Sequence, residues 1–191
     1  VRCSYADATR SGPERGRQVM QIGELGSEHA RAFQELRLAA LRECPSAFAS
    51  SYEEEHDTPI AVVAERLAAK PDRCVLGAWR KSDLVGIVGL QREQIRKLSH
   101  KAYIWGMYVA PAARRRGMGG RLLAQALTRA ASMPGVRQIN LGVNAANVEA
   151  VALYEAAGFT AFGVERGFML LDGRLHDEIH MVRTVETAAT K

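Results

Sequence analysis

The stretch Met107-Tyr-Val-Ala-Pro-Ala-Ala-Arg-Arg-Arg-Gly-Met-Gly-Gly-Arg-Leu-Leu123 decides how the rest of the chain reads. An apolar run, Tyr103 to Val109, stops at Pro111, which has no N–H to give a strand ladder. Arg114, Arg115 and Arg116 follow, then Gly117, Met118, Gly119 and Gly120. Leu122, Leu123, Ala126, Leu127 and Ala130 then recur at helical spacing. Strand, glycine turn and helix start are contiguous. The first turn of a helix carries unpaired N–H groups and the positive end of the macrodipole, so it receives an anion readily. Glycines let the backbone approach closely and the arginines add charge. The stretch therefore reads as an anion cradle, foremost for a diphosphate.

The remaining sequence bounds what surrounds it. With 191 residues, 47% hydrophobic and 25% charged, the chain fits one globular domain over 19–185. Residues 1–18 are polar and arginine-bearing, without the apolar core of a secretory signal. They read as a flexible arm or an ordered extension, and the Val1 start as a processed chain or an expression remnant. Residues 186–191 read as a frayed tail. No apolar run nears the ~20 residues a membrane span needs. Cys3, Cys44 and Cys74 form no CxxC, so reduced thiols in a cytoplasm are expected, with neither a disulfide framework nor a metal site. The net charge of +5 permits nucleic-acid binding without demanding it.

Val19–Ile22 reads as a first strand. Ser27 is placed to cap a helix whose apolar face is Phe33, Leu36, Ala40 and Leu41, ended by Pro45. The polar piece 50–57 follows. Thr58-Pro59 starts a second helix with Ile60, Val63 and Leu67 on its face. Cys74–Trp79 and Leu84–Leu90 form a hairpin about Lys81-Ser82-Asp83. After the glycine turn come a helix to Ser132, a strand Gln138–Val143, and a helix Asn147–Ala157 ending at Gly158. Asp172-Gly173 then turns a last hairpin. Three strands in series imply antiparallel pairing, and the two later β-α-β passages imply a parallel section. The expected class is α/β (α+β): a mixed, mostly antiparallel twisted sheet with helices on both faces.

Three phosphate-binding devices compete for the glycine turn. A P-loop needs Lys-Ser/Thr after its glycines, whereas Arg121 and Leu122 follow Gly120. A dinucleotide fingerprint needs a third glycine where Leu122 stands and an acid closing the next strand, which Gln138–Val143 lacks. The pattern Arg114-x-x-Gly117-x-Gly119 after a strand ending Val-x-Pro resembles the acyl-CoA pyrophosphate loop of the GNAT N-acetyltransferase superfamily. Asn144-Ala-Ala-Asn147 through Leu-Tyr154 to Gly158-Phe159 is similar to that family's second signature. The resemblance spans about Gln18 to Val185.

The resemblance implies the fold, acetyl-CoA as acyl donor with no metal, and a primary amine as acceptor. It implies that the strand holding Met107, Tyr108 and Val109 splays from its neighbour. Backbone groups of Met107 and Val109 would then bind the pantetheine arm, and an amide near Met107 would polarise the thioester carbonyl. Backbone amides from Arg114 to Gly120, through Arg115, Arg116, Gly117, Met118 and Gly119, would hold the pyrophosphate. Tyr154 would protonate the leaving thiolate, a role typically worth ~10²–10⁴ in rate. Asn147 would contact the cofactor, though its type equally suits the N-cap of its own helix. Asn144 is a weaker candidate, since a strand-end asparagine often serves a turn.

The base that takes the acceptor's proton is not singled out. Glu53, Glu54, Glu55 and Glu93 are candidates, as is a water chain, and Tyr108 lies beside the cofactor strand. At least two of the three consecutive glutamates are expected to be solvated. His176-Asp-Glu-Ile-His180 is not His-Glu-x-x-His and lies on a strand, so no metal motif is read there, and Glu178 or His180 is a minor contributor to the acceptor pocket. Trp79 and Trp105 read as core. Two other classes compete: a non-catalytic acyl-CoA-binding or regulatory module, and a nucleic-acid-binding domain using the arginines. Homodimers are common in such folds, but one sequence does not yield one.

Overall fold

Side chains alternating along two neighbouring strands give the sheet two buried faces. In the computed structural model, which describes residues 20–185, these are β2 (Arg73–Arg80) and β3 (Asp83–Arg92). Val75 and Ile87 join one core cluster, and their neighbours Leu76 and Val88 join another on the opposite face. The first face is covered by α1 (Ala30–Glu43), through Phe33, Ala40 and Leu41, and by α3 (Ile60–Leu67), through Val63 and Leu67. The second face is covered by α4 (Met118–Ala131), whose Leu122, Leu123 and Ala126 are fully buried. Burying a leucine is worth ~1.5–3 kcal/mol, so this stripe fixes α4 firmly and with it the glycine turn at its start.

The remaining elements are β1 (Met20–Glu24), the one-turn α2 (Tyr52–Glu55), β4 (Lys101–Val109), β5 (Gln138–Asn144), α5 (Val148–Ala156), β6 (Thr160–Leu171) and β7 (Arg174–Thr184). The sheet runs β1-β2-β3-β4-β5-β7-β6. Among the described residues β4 and β5 alone pair in parallel, which is the expected parallel section; β6, reached from β5 through α5, is separated from it by β7. The Asp172-Gly173 turn, both residues at positive φ, makes β6 and β7 antiparallel neighbours. β7 rather than β6 docks on β5, because β7 brings the fully buried Met181.

Two irregularities in β4 shape the site. Gly89 pairs with Trp105 and Ile87 with Tyr108, so three steps on β4 oppose two on β3. The extra residue is a bulge, which Gly106 accommodates at φ +61. On its other side β4 pairs with β5 only from Lys101 to Tyr103, although the strands run on to Val109 and Asn144. Past that point a cavity of about 70 Å³ opens between Ile104–Met107 and Gly142–Asn144.

Several local expectations are corrected. The first helix is entered through a 3-10 turn, Ser27–His29, whose cap is Gly26. The Gly26 N–H donates to His29 Nδ1 (3.0 Å), while the Ser27 hydroxyl donates to the Ala64 carbonyl (2.9 Å) and ties α3 down. The polar piece 50–57 contains α2, because Ser51 and Glu54 satisfy each other's backbone N–H groups. Pro59, not Thr58, caps α3, and Ile60 lies on its exposed side. Trp105 is 38% exposed, lying against the bare backbone of Gly89 rather than in the core; Trp79 is half-buried. Val19 of the expected first strand, the arm and the tail lie outside the described residues.

Candidate functional site

Along β4, Ala102 and Ile104 face α4, while Trp105 and Tyr108 face the α1 side. The split between β4 and β5 therefore connects the two faces of the sheet. On the α4 side it continues into an open groove of about 540 Å³. Met107 and Tyr154 border both the split and the groove, Gly117, Gly119 and Gly120 border its far end, and Asn147 and Leu153 form the wall from α5.

Each element presents its residue for a local reason. Gly117 sits at φ +71, a left-handed cap that other L-residues adopt at a cost of ~1–2 kcal/mol. No side chain caps α4 and no acid lies in its first turn, so the N–H groups of its first turn face the groove unneutralised. Asn147 accepts from the Ala150 N–H (3.1 Å) and caps α5, while its residue also borders the groove; the cap reading and the groove reading hold together. Asn144 donates to the Ser46 carbonyl (2.8 Å) and accepts from the Ala146 N–H (2.9 Å), the turn-forming role, beside the split.

Tyr154 is 8% exposed, and its hydroxyl donates to Met107 Sδ at 3.7 Å, a soft acceptor that leaves the proton loosely held. Burial pushes its phenol up to about 12, helped by Tyr103. Tyr108 differs. Its side chain turns to the α1 face and its hydroxyl donates to Glu43; burial, that bond and the Glu43 charge all raise its pKa, which removes it as a base. Only the Tyr108 backbone remains for the groove.

The arginines divide. Arg114 folds back onto the end of β4, its Nε donating to the Val109 carbonyl (2.8 Å) and its Nη1 pairing with Glu43 (2.9 Å). Arg115 borders the groove at φ +59, and Arg116 does not border it. The Met118 side chain is buried, so only its backbone is available to a ligand.

The expected bases sort as clearly. Glu53 is exposed, Glu54 completes the α2 capping box, and Glu93 borders neither the split nor the groove. Glu55 pairs with the buried Arg37 (2.8 Å). Burial alone would raise the Glu55 carboxyl, but hydrogen bonds from Arg37 and Ser50 and the charge of Arg37 hold it below its ordinary 4.5. A carboxylate so held is a poor base.

Glu178 is the better placed: it lines a small adjoining cavity with Asn144 and packs on Gly142, both of which border the split. It stands opposite Asn144 on β7, and its carboxylate covers Gly142 so closely that a Cβ there would lie 2.0 Å from Oε1. Val143 and Leu141 point to the α4 face, so Gly142 and Glu178 lie on the α1 side of the split. Burial raises the Glu178 carboxyl above 4.5, against the pull of His180 and with a push from Glu165. The signal for it was the strand period: Glu178 alternates with the inward-facing Met181 register only once β7 is known to be internal. His180 bonds Glu165 (3.1 Å) and His176 lies 3.5 Å from Asn144, so the two histidines serve different partners.

A split parallel strand pair with an uncapped helix start at one end and a buried phenol at the other has the form of an acyl-CoA-dependent acyltransferase. The acetyltransferase (GNAT) family matches residues 33–159, and the chain belongs to that family. No curated protein sequence matches it significantly. Among solved structures, a GNAT-family acetyltransferase from Streptococcus pneumoniae superposes with a TM-score of 0.76 at 19% identity, covering 88% of this chain and 100% of the other. YncA, a putative acetyltransferase from Salmonella typhimurium solved with acetyl-CoA, gives 0.76 at 19% identity, covering 91% and 98%. A phosphinothricin acetyltransferase from Sinorhizobium meliloti, also in complex with acetyl-CoA, gives 0.74 at 22% identity, covering 90% and 92%. At these identities the likeness is one of fold. Among the described residues no helix is long and apolar enough to cross a membrane.

Proposed function

We propose that the chain transfers an acetyl group directly from acetyl-CoA to a primary amine, through a ternary complex. The observation that carries this reading is the split beyond Tyr103 and Asn140, which leaves β4 backbone groups unladdered between an uncapped helix start and Tyr154. Backbone amides from Arg115 to Gly120 receive the pyrophosphate, and Met107 and Val109 receive the pantetheine arm as an added strand would. An amide near Met107 faces the thioester oxygen, where charge develops. Cys44 borders the groove but not the split, Cys74 borders neither, and no cysteine lies in 107–123 or 144–159, which favours direct attack over an acetyl-cysteine.

The amine nitrogen attacks the thioester carbon, a C–N bond forms and the C–S bond breaks. Glu178 takes the proton the amine must lose. Tyr154 serves the other end. With its phenol near 12 and a thiol near 8.5, full proton loss to a free thiolate would be uphill by ~5 kcal/mol. Its contribution is therefore a hydrogen bond to the sulfur that strengthens as the C–S bond breaks. A nucleic-acid reading is disfavoured because Arg114, which borders the groove, is spent on Glu43 and Val109, and Arg116 does not border it, leaving Arg115.

Thiol release from acetyl-CoA against a panel of primary amines tests the transfer, and isothermal titration with acetyl-CoA tests the donor site. Absence of acetyl-CoA binding would sink the whole reading. Binding without release for any amine would leave a non-catalytic acyl-CoA module.

A further inference from the structure

On the α1 side of the sheet a second pocket, of about 280 Å³, lies between α1, α3 and strands β2 to β4. Three guanidinium groups border it, from Arg37, Arg66 and Arg73, against the single carboxylate of Glu55. Arg37 is 6% exposed and held on one side only. Its Nε and Nη2 donate to Glu55 (3.0 and 2.8 Å), Nη2 also donates to Ser50 (2.7 Å), and its face stacks on the Phe48 ring at 4.6 Å. Nη1, fully buried, has no hydrogen-bond partner, and neither has the buried Nε of Arg73. A buried guanidinium whose N–H groups lack an acceptor is an exception that calls for one.

The unused nitrogen lies beside the reaction path. Arg37 Nη1 stands 3.7 Å from where a Cβ on Gly106 would lie, and Gly106 borders the split. Trp105 borders both the pocket and the split and joins them. Glu178 lies on the same side of the sheet; burial raises the Tyr103 phenol, and the nearby Glu178 charge adds to it.

Resting on the acetyl-transfer reading above, we infer that this pocket holds the carboxylate of the acceptor, so that the amine substrate is a small amino acid or a close analogue. Arg37 Nη1 and Arg73 Nε supply the donors the carboxylate needs, and planar guanidinium geometry suits it. Glu55 does not compete for that place; it holds the other edge of the Arg37 fork and leaves Nη1 unpartnered. The size and the net positive lining select a small acid-bearing amine over polyamines, which would bring cations to three arginines.

The experiment is thiol release by the full chain from acetyl-CoA with α-amino acids and short ω-amino acids, each paired with its carboxamide. The expected result is a kcat/KM for at least one acid about 100-fold or more above that of its amide, since buried donors left unpaired reject the analogue lacking the acceptor. Arg73→Gln and Arg37→Lys are expected to raise KM for that acid at least ~10-fold with KM for acetyl-CoA unchanged, melting temperature serving as the check on folding. Amides turned over as well as acids would overturn the inference and leave acetyl transfer standing. Release with no member of the panel would overturn it too, and the separate titration with acetyl-CoA then decides whether the donor reading falls with it.

Discussion

Replacing Tyr154 by phenylalanine removes one oxygen from a buried position and little else. The hydroxyl gives a 3.7 Å contact to a thioether, so the lost hydrogen bond is weak and the fold is expected to change by under ~1 kcal/mol at neutral pH. Turnover is expected to fall by ~10²-fold, the lower end of acid assistance, because the phenol donates a hydrogen bond without releasing its proton fully. KM for acetyl-CoA should stay within a few-fold. The pH behaviour gives a sharper mark. The acid form is required, and with its pKa pushed up to about 12 the phenol stays protonated throughout the assay range. Any loss of rate between pH 8 and 10 must therefore come from another group and must persist in Tyr154→Phe. Stability follows the same sign: the raised folded pKa means stability present below pH 10 is lost as pH rises through 12, ~3 kcal/mol in all. The variant lacks that alkaline loss. Thiol-release kinetics across pH and alkaline melting curves read both effects. Wild-type turnover in Tyr154→Phe would refute the donor role, and identical alkaline melting would refute the buried phenol.

Three other perturbations probe separate parts of the site. Glu178→Gln is expected to lower kcat ~10²-fold and to remove the acidic limb of the rate profile; the base works deprotonated, so in the native chain activity rises with pH through a pKa above 4.5, and a retained limb would assign the base elsewhere. Glu55→Ala leaves Arg37 buried without its anion and should cost ~3–5 kcal/mol by urea unfolding at neutral pH. Because Glu55 is held below 4.5, the native chain should lose this stability only as pH falls through that lowered value, and the variant should show a flatter acid profile. Gly89→Ala places a Cβ about 2.1 Å from the Trp105 ring, so the ring must move; a cost of ~1–3 kcal/mol and a raised acceptor KM with unchanged acetyl-CoA KM are expected, and unaltered kinetics would show that Trp105 does not join the two pockets.

The elements of the proposed donor half were legible because their features are local. Val109-Ala-Pro111, Gly117 through Gly120, and Asn147 to Tyr154 each lie within one strand–turn–helix passage, where spacing alone sets the geometry. The proposed acceptor half was not, because its residues meet only through the tertiary fold. Arg37 and Glu55 are eighteen positions apart and meet across a second 3-10 turn, Pro45–Ala47, and α2, which the polarity of 50–57 hid. Glu178 could not be assigned a side of the split until β7 was placed between β5 and β6. Trp105 looked like core by its type, whereas the bulge at Gly106 and the bare Gly89 keep it at the surface of the pocket.

The interior position of β7 also governs the order in which the molecule can be assembled. On the left of the sheet β2, β3 and β4 follow one another as antiparallel neighbours, and β1 is joined to β2 through α1, α2 and α3, so this half forms from chain that emerges early. β5 has no partner on its right until a strand some thirty residues later has folded back, and β6, made first, must wait outside for it. The β5 wall of the split, which ends at Asn144, is thus backed by the last strand of the described chain, which carries Glu178. A nascent chain stalled before Arg174 would own the Gly117–Gly120 turn and Tyr154 and still lack the strand that backs β5.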